Sequence, residues 1–124
     1  MREFHIEATK SSPEITYIAE ENVLKFEGES YPEDSFSFYN PVIEFLQEVL
    51  EENDLKLIFK ISYLNTSSTK SFMNLLDIVE EAYHGGRKVS VKWFYEKDNE
   101  HSYELALDFK EYLKLPFTIK AEAN

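Results

Sequence analysis

The residues with chemistry to offer cluster in one place. Asn65, Thr66, Ser67, Ser68, Thr69 and Lys70 set four consecutive hydroxyls and a cation between two patterned runs. The run before them, Ile58 to Leu64, alternates apolar and polar residues as a strand does. The run after them, Ser71 to Tyr83, carries Phe72, Leu75, Leu76, Val79, Ala82 and Tyr83 at helical spacing. Hydroxyls at such a junction sit on a helix N-terminus, where unpaired N–H groups point outward and the dipole favours negative charge. Two readings follow. Either Asn65 or Thr66 is a plain helix cap and the other hydroxyls are solvated. Or one hydroxyl accepts a phosphate, which brings roughly −1.5 to −2 charges and three acceptor oxygens to a place that tolerates them.

No other constellation reaches the standard of an active site. Ser67 and Lys70 have the Ser-x-x-Lys spacing of penicillin-binding enzymes, but the Ser-Asp-Asn and Lys-Thr-Gly elements of that signature are absent. His5, His84 and His101 are scattered, and His84 beside Gly85-Gly86 reads as a cation at a helix C-terminus. Glu33-Asp34 has metal-ligand chemistry, yet Asp34 more simply starts a turn at Ser35. With three glycines there is no phosphate-cradling loop, and with no cysteine there is no disulfide framework, thiolate zinc site or thiol nucleophile. The expectation is a protein that is not an enzyme and holds no cofactor or metal.

Composition narrows the partners. The net charge is −11, so nucleic acid and anionic membrane are repelled. No apolar run is long enough to span a bilayer, and Met1 to His5 lacks the apolar core of a signal peptide, which points to a cytoplasmic protein. The 124 residues make one domain, 1–124, and 10 Phe with 8 Tyr supply rings to fill its core.

The elements that must position the hydroxyls follow from the pattern. Ile15 to Ile18 and Val23 to Glu27 read as a hairpin turning at Asn22. Gly28 to Asp34 reads as a loop. Asn40-Pro41 reads as the start of the first long helix, with Phe36 to Tyr39 a short turn ahead of it. Leu55 to Leu64 is a strand with Leu55, Leu57, Phe59, Ile61 and Tyr63 on one face and Lys56, Lys60 and Ser62 on the other. Gly85-Gly86 ends the second helix. Val89, Val91, Trp93 and Tyr95 alternate along a strand. Asn99 to Tyr112 reads as a third helix with Leu105, Ala106, Phe109, Tyr112 and Leu113 inward, and Phe117 to Lys120 as an edge strand. The order is ββαβαβαβ: an α/β domain whose later strands pair in parallel through right-handed crossovers. The polar face of the central strand predicts helices on one side of the sheet only.

Three separated segments carry a resemblance. Tyr63-Leu64-Asn65-Thr66-Ser67-Ser68-x-Lys70, with Gly28-Glu29-Ser30-Tyr31-Pro32-Glu33-Asp34 before it and Gly85-Gly86-Arg87-x-Val89-x-Val91-x-Trp93-x-Tyr95 after it, resembles the SiaC family of bacterial regulatory phosphoproteins from about Ile6 to Ala121. The resemblance implies a single-domain fold similar to STAS domains and anti-sigma-factor antagonists such as SpoIIAA, with helices mainly on one face of a mixed sheet. It implies a partner kinase of the anti-sigma Ser/Thr type, a PP2C-like phosphatase, and an unphosphorylated form that binds and activates a diguanylate cyclase, raising cyclic di-GMP and promoting aggregation or biofilm. The phosphothreonine directly after the Leu-Asn of the motif falls on Thr66, with Ser67, Ser68 and Thr69 as alternatives. Tyr31, Pro32, Glu33, Asp34, Asn65, Ser67, Ser68 and Lys70 are the partner-binding candidates. The competing function is a constitutive anti-sigma-antagonist-like adaptor whose hydroxyls only cap the helix. A small hydrolase using Ser67 and Lys70 is a distant third.

Overall fold

A computed structural model describes residues 3–122. The chain runs β1 (His5–Ile6), β2 (Glu14–Ile18), a 3₁₀ turn (Ala19–Glu21), β3 (Val23–Ser30), α1 (Ser35–Glu52), β4 (Leu55–Leu64), α2 (Thr66–His84), β5 (Val89–Glu96), α3 (Glu100–Glu111) and β6 (Phe117–Glu122). All six strands form one mixed sheet in sequence order. β1, β2 and β3 pair antiparallel, while β3, β4, β5 and β6 pair in parallel. Three crossovers of one hand, each stepping the same way along the sheet, leave α1, α2 and α3 on a single face.

That face holds the core. Leu24, Phe26, Leu57, Phe59, Ile61, Val91 and Trp93 project from the central strands and are at most 1% exposed. They meet Tyr39, Val42 and Leu46 of α1, Phe72, Leu75 and Val79 of α2, and Ala106 and Phe109 of α3. Lys56 and Ser62 on the opposite face of β4 are exposed, and Lys60 is half-buried by its neighbours on the sheet. The one-sided layering expected from the polar face is what the strands display.

The structure corrects several expected boundaries. The short β1 precedes the hairpin, so the strand order is longer by one than expected from the sequence; two residues carry no readable period. β3 runs through Gly28, Glu29 and Ser30, which were expected in a loop. α1 starts at Ser35, not at Asn40-Pro41. Asp34 caps it by accepting the Ser37 N–H at 3.1 Å, and the Ser37 hydroxyl donates back to Asp34 at 2.8 Å. Pro41 lies inside the helix, where it removes one backbone bond; its side chain is exposed, so water can serve the freed carbonyl. Tyr112, expected inward, caps the end of α3 and is 71% exposed, because the chain has already turned towards β6.

One irregularity shapes the site. Gly28 pairs with Ile61 but Glu29 pairs with Tyr63, so Ser62 is a bulge residue. The bulge reverses the alternation. Tyr63, expected on the core face, points out and is 41% exposed, while Leu64 points in. Gly28 makes the bend possible with φ +129°, and a Cβ there would stand 3.3 Å from the Cα of Pro13. Gly28→Ala is therefore expected to cost about 1–3 kcal/mol in urea unfolding, through both the positive φ and the contact with backbone.

The Gly85-Gly86-Arg87 segment is folding hardware. The Gly86 N–H bonds to Tyr83 and the Arg87 N–H to Ala82, a Schellman closure of α2 with Gly86 at φ +104°. Arg87 then donates to the carbonyls of Leu50 and Glu51, capping the C-terminus of α1 from a distant loop.

Candidate functional site

The parallel strands β3 and β4 end side by side, so the helices that follow them begin side by side. Asn65 is the cap of α2. Its side chain accepts the Ser68 N–H at 2.9 Å, and its own N–H is taken by Ser30 at 3.0 Å. The hydroxyl run is thus the first turn of α2, not an exposed loop ahead of a helix starting at Ser71. Substituting Asn65→Ala removes this cap and is expected to lower stability by about 0.5–2 kcal/mol in thermal or urea melts.

The four hydroxyls differ sharply in their surroundings. Ser68 is fully buried, sharing hydrogen bonds with Ser30 at 2.8 Å and Ser35 at 3.1 Å. Ser67 is exposed but engaged with Ser35 at 2.9 Å and with Asn65 at 3.3 Å. Thr69 donates back to the Asn65 carbonyl at 2.9 Å. Thr66 is exposed, and among the described residues no hydrogen bond involves its hydroxyl. The N–H groups of Thr66 and Ser67 also lack a protein acceptor among the described residues, as the first N–H groups of a helix do. Lys70, one turn along the same face, is exposed and takes part in no ion pair among the described residues.

Beneath this turn lies a chain of hydroxyls. Tyr39 meets Ser30 at 2.6 Å, Ser30 meets Ser68, Ser68 meets Ser35, and Ser35 meets Ser67. It satisfies every member, so no buried side-chain polar atom is left unpaired among the described residues. Burial pushes the Tyr39 hydroxyl pKa well up, more than its bond to Ser30 lowers it. The chain ties the end of β3 and the starts of α1 and α2 into one unit. Sequence reasoning missed Ser30, Ser35 and Tyr39. The signal was available: had α1 been started at the Asp34 cap, parallel topology would have set Ser35 against the start of α2.

Around the turn is an aromatic rim. Tyr63 stacks on His101 with centroids 4.9 Å apart and meets Tyr31 edge-on at 6.2 Å. His101 Nε2 accepts the Leu64 N–H at 3.4 Å. Tyr31 is anchored by its hydroxyl, which donates to the Lys10 carbonyl at 2.9 Å. Phe36, in the first turn of α1, is 73% exposed. Of the other candidates, Pro32 is half-buried and Glu33 exposed. Asp34 is held to capping α1, and the Ser37 backbone N–H, then the Ser37 hydroxyl, keep its carboxyl below the usual range. Among the described residues no three metal-ligating side chains come together, and Ser67 has no hydrogen bond to Lys70. His84 pairs with Glu80 at 3.1 Å across one helical turn.

The arrangement is an open hydroxyl on a helix N-terminus with exposed aromatics nearby, and no three metal-ligating side chains accompany it among the described residues. The profile of the SiaC family regulatory phosphoprotein matches residues 6–122. An uncharacterised protein of Pseudomonas aeruginosa strain UCBPP-PA14 is 41% identical over 123 residues, 98% of each chain. The solved structure of SiaC of Pseudomonas aeruginosa superposes with a TM-score of 0.91 at 39% identity, over 98% of this chain and 100% of that one. The same fold appears, at 40% identity and TM-score 0.91 over 96% and 99% of the two chains, in a crystal structure of the diguanylate cyclase SiaD in complex with its activator SiaC from Pseudomonas aeruginosa. The chain belongs to the SiaC family of regulatory phosphoproteins.

Proposed function

We propose that this chain, acting as one regulatory domain over residues 1–124, is a non-enzymatic phospho-switch whose unphosphorylated form binds and activates a diguanylate cyclase. Thr66 is the phosphoacceptor. A kinase of the anti-sigma Ser/Thr type adds the phosphate, a PP2C-like phosphatase removes it, and the site needs no cofactor in this chain. The strand-to-helix position of the acceptor is that of STAS-like proteins, and the cycle runs in the cytoplasm.

The observation that carries this reading is the difference among four adjacent hydroxyls. Ser67, Ser68 and Thr69 are each committed to a hydrogen bond within the protein, and Ser68 is inaccessible. A kinase meeting this turn finds the Thr66 oxygen free at no cost in existing bonds. The product is also the easiest to accommodate there. A phosphate on Thr66 lies beside the open N–H groups of Thr66 and Ser67, at the positive end of α2. Lys70 is one turn away to offset its charge.

Incubation with the cognate kinase and ATP, followed by tandem mass spectrometry, tests the assignment. A single phosphate on Thr66 is expected, with Thr66→Ala taking up none. Phosphate solely on Ser67, Ser68 or Thr69 would overturn the acceptor. No transfer to any hydroxyl by an active kinase would leave the adaptor reading in its place.

A further inference from the structure

The sheet face that carries no helices has a charge pattern unlike the rest of the molecule. On β4, β5 and β6 it presents four lysines, Lys56, Lys60, Lys92 and Lys120, against two carboxylates, Glu96 and Glu122. This is a net-positive patch on a chain of −11. Lys60 is spent on Glu122 at 3.2 Å and lies over the Phe94 ring at 5.6 Å. Lys56, Lys92 and Lys120 are exposed and have no ion-pair partner among the described residues. The registers place them on a diagonal. Lys56 lies opposite Ser90, Lys92 two residues beyond it lies opposite Thr118, and Lys120 two residues beyond that. Diagonal neighbours stand about 7–8 Å apart, so the row extends roughly 15 Å, near three turns of an α-helix. Half-buried Ile58 and Phe94 form a parallel diagonal beside it, since Ile58 lies opposite Lys92 and Phe94 opposite Lys120. A hollow of about 250 Å³ beside Phe94 is lined by Lys92, Thr118, Ile119 and Lys120, and it is the one that fits an acidic segment. A second, of about 200 Å³ on the other side of Phe94, is edged by Glu27, Glu96 and Glu122 and bounds the patch.

We infer that this face docks an acidic amphipathic helix of a partner protein. The apolar stripe of that helix seats along Ile58 and Phe94, and its carboxylates meet Lys56, Lys92 and Lys120. Such a helix supplies the layer that helices provide on the second face of most parallel sheets. Charge complementarity selects an acidic segment, and the apolar diagonal selects one that is amphipathic. A second copy of this chain fits less well, because two copies at −11 repel and the contact would join unlike surfaces into an open-ended chain. Nucleic acid is opposed by the same overall charge and by Glu96 and Glu122 on the face itself. The row starts near the beginning of β4, at the far end of that strand from Thr66, so docking is independent of phosphorylation. The inference therefore stands or falls separately from the proposed switch.

The test is a titration of isotope-labelled full-length protein, followed by NMR, with a helix-forming Leu/Glu peptide about three turns long. Its controls are a Lys-for-Glu counterpart, an unstructured polyglutamate of equal charge and a single-stranded DNA oligonucleotide. Saturable shifts at Ile58, Lys92, Phe94 and Lys120 with the acidic helix alone are expected, unchanged in Thr66→Asp. The triple variant Lys56→Gln/Lys92→Gln/Lys120→Gln should bind at least about tenfold more weakly while keeping the wild-type spectrum elsewhere. Absence of shifts on these strands at millimolar peptide would overturn the inference. Equal binding of polyglutamate or DNA would replace the helix with a mere polyanion, and sedimentation as multimers without peptide would assign the face to a second copy. If the triple variant is misfolded, Phe94→Ser supplies the same comparison.

Discussion

Phe72→Ala is expected to lower the unfolding free energy by about 3–5 kcal/mol. Phe72 is fully buried on α2, less than two turns from Thr66, and its ring touches five others. Centroid distances are 5.7 Å to Phe26, 5.5 Å to Tyr39, 5.4 Å to Phe59, 6.5 Å to Trp93 and 6.2 Å to Phe109. These partners come from β3, α1, β4, β5 and α3, so one side chain joins α2 to every neighbouring element. Truncation loses the transfer free energy of the ring and leaves a cavity that five rigid aromatic walls cannot collapse to fill. The loss is a large share of the ~5–15 kcal/mol typical of a domain. Urea and thermal unfolding check the value, with Phe36→Ala as a control. Phe36 is 73% exposed, so its loss should stay within about 0.5 kcal/mol. A cost below about 1.5 kcal/mol at Phe72 would show that the aromatic cluster repacks freely.

What the sequence made legible, and what it hid, divides by the range of the forces involved. The apolar period of β4 from Leu55 to Ile61, the stripe of α2 and the glycine stop at its end are local patterns, and the structure bears them out. Pro41 misled because its signal is also local: proline suits a first helical turn, but a buried stripe from Tyr39 to Leu50 holds the helix together through it. The bulge at Ser62 was invisible because strict alternation through Tyr63 is the simplest reading of the letters. Only the pairing of Glu29 with Tyr63 reveals the reversal. That reversal matters to the site, since it turns Tyr63 out beside Tyr31 and His101. The hydroxyl cluster was found from type and spacing alone, but its internal order was not. Which oxygen is free depends on Ser30 and Ser35, residues more than 30 positions away in the chain, and on helix starts about a turn and a half earlier than the period announced. The motif that carried the resemblance is likewise mixed. Gly86, Arg87 and Trp93 serve closure of α2, capping of α1 and the core, where Trp93 donates to Ser102 at 3.0 Å. Of the two cap candidates that the sequence left undecided, Asn65 is the cap, and the Thr66 hydroxyl is left without a hydrogen bond among the described residues.

That division leads to the second large effect, on binding. Thr66→Ala is expected to fold with stability within about 0.5 kcal/mol of wild type, because the hydroxyl it deletes makes no hydrogen bond within the described protein. It should bind the cognate diguanylate cyclase within a few-fold of the unphosphorylated protein and should not respond to the kinase. Thr66→Asp should fold at least as well, since a carboxylate in the first turn of α2 gains about 0.3–1 kcal/mol from the dipole. Its binding is expected to fall about tenfold, or 1.4 kcal/mol, and phosphorylated wild type to fall further. The ordering follows from charge and hydration. A carboxylate brings one charge and two oxygens, while a phosphate brings roughly −1.5 to −2 charges and three acceptor oxygens. Each must be desolvated if a partner closes over the rim of Tyr31, Tyr63 and Phe36. Raised salt should narrow the gap for the exposed carboxylate, because the Debye length shrinks to about 3 Å at 1 M. Calorimetric titration of the four species against the cyclase, at low and high salt, gives the ranking. Equal affinities throughout would reduce Thr66 to the first residue of a helix and remove the switch from this surface. A loss in Thr66→Ala as large as in Thr66→Asp would instead make the hydroxyl itself the contact, with phosphorylation acting by masking it and not by charge.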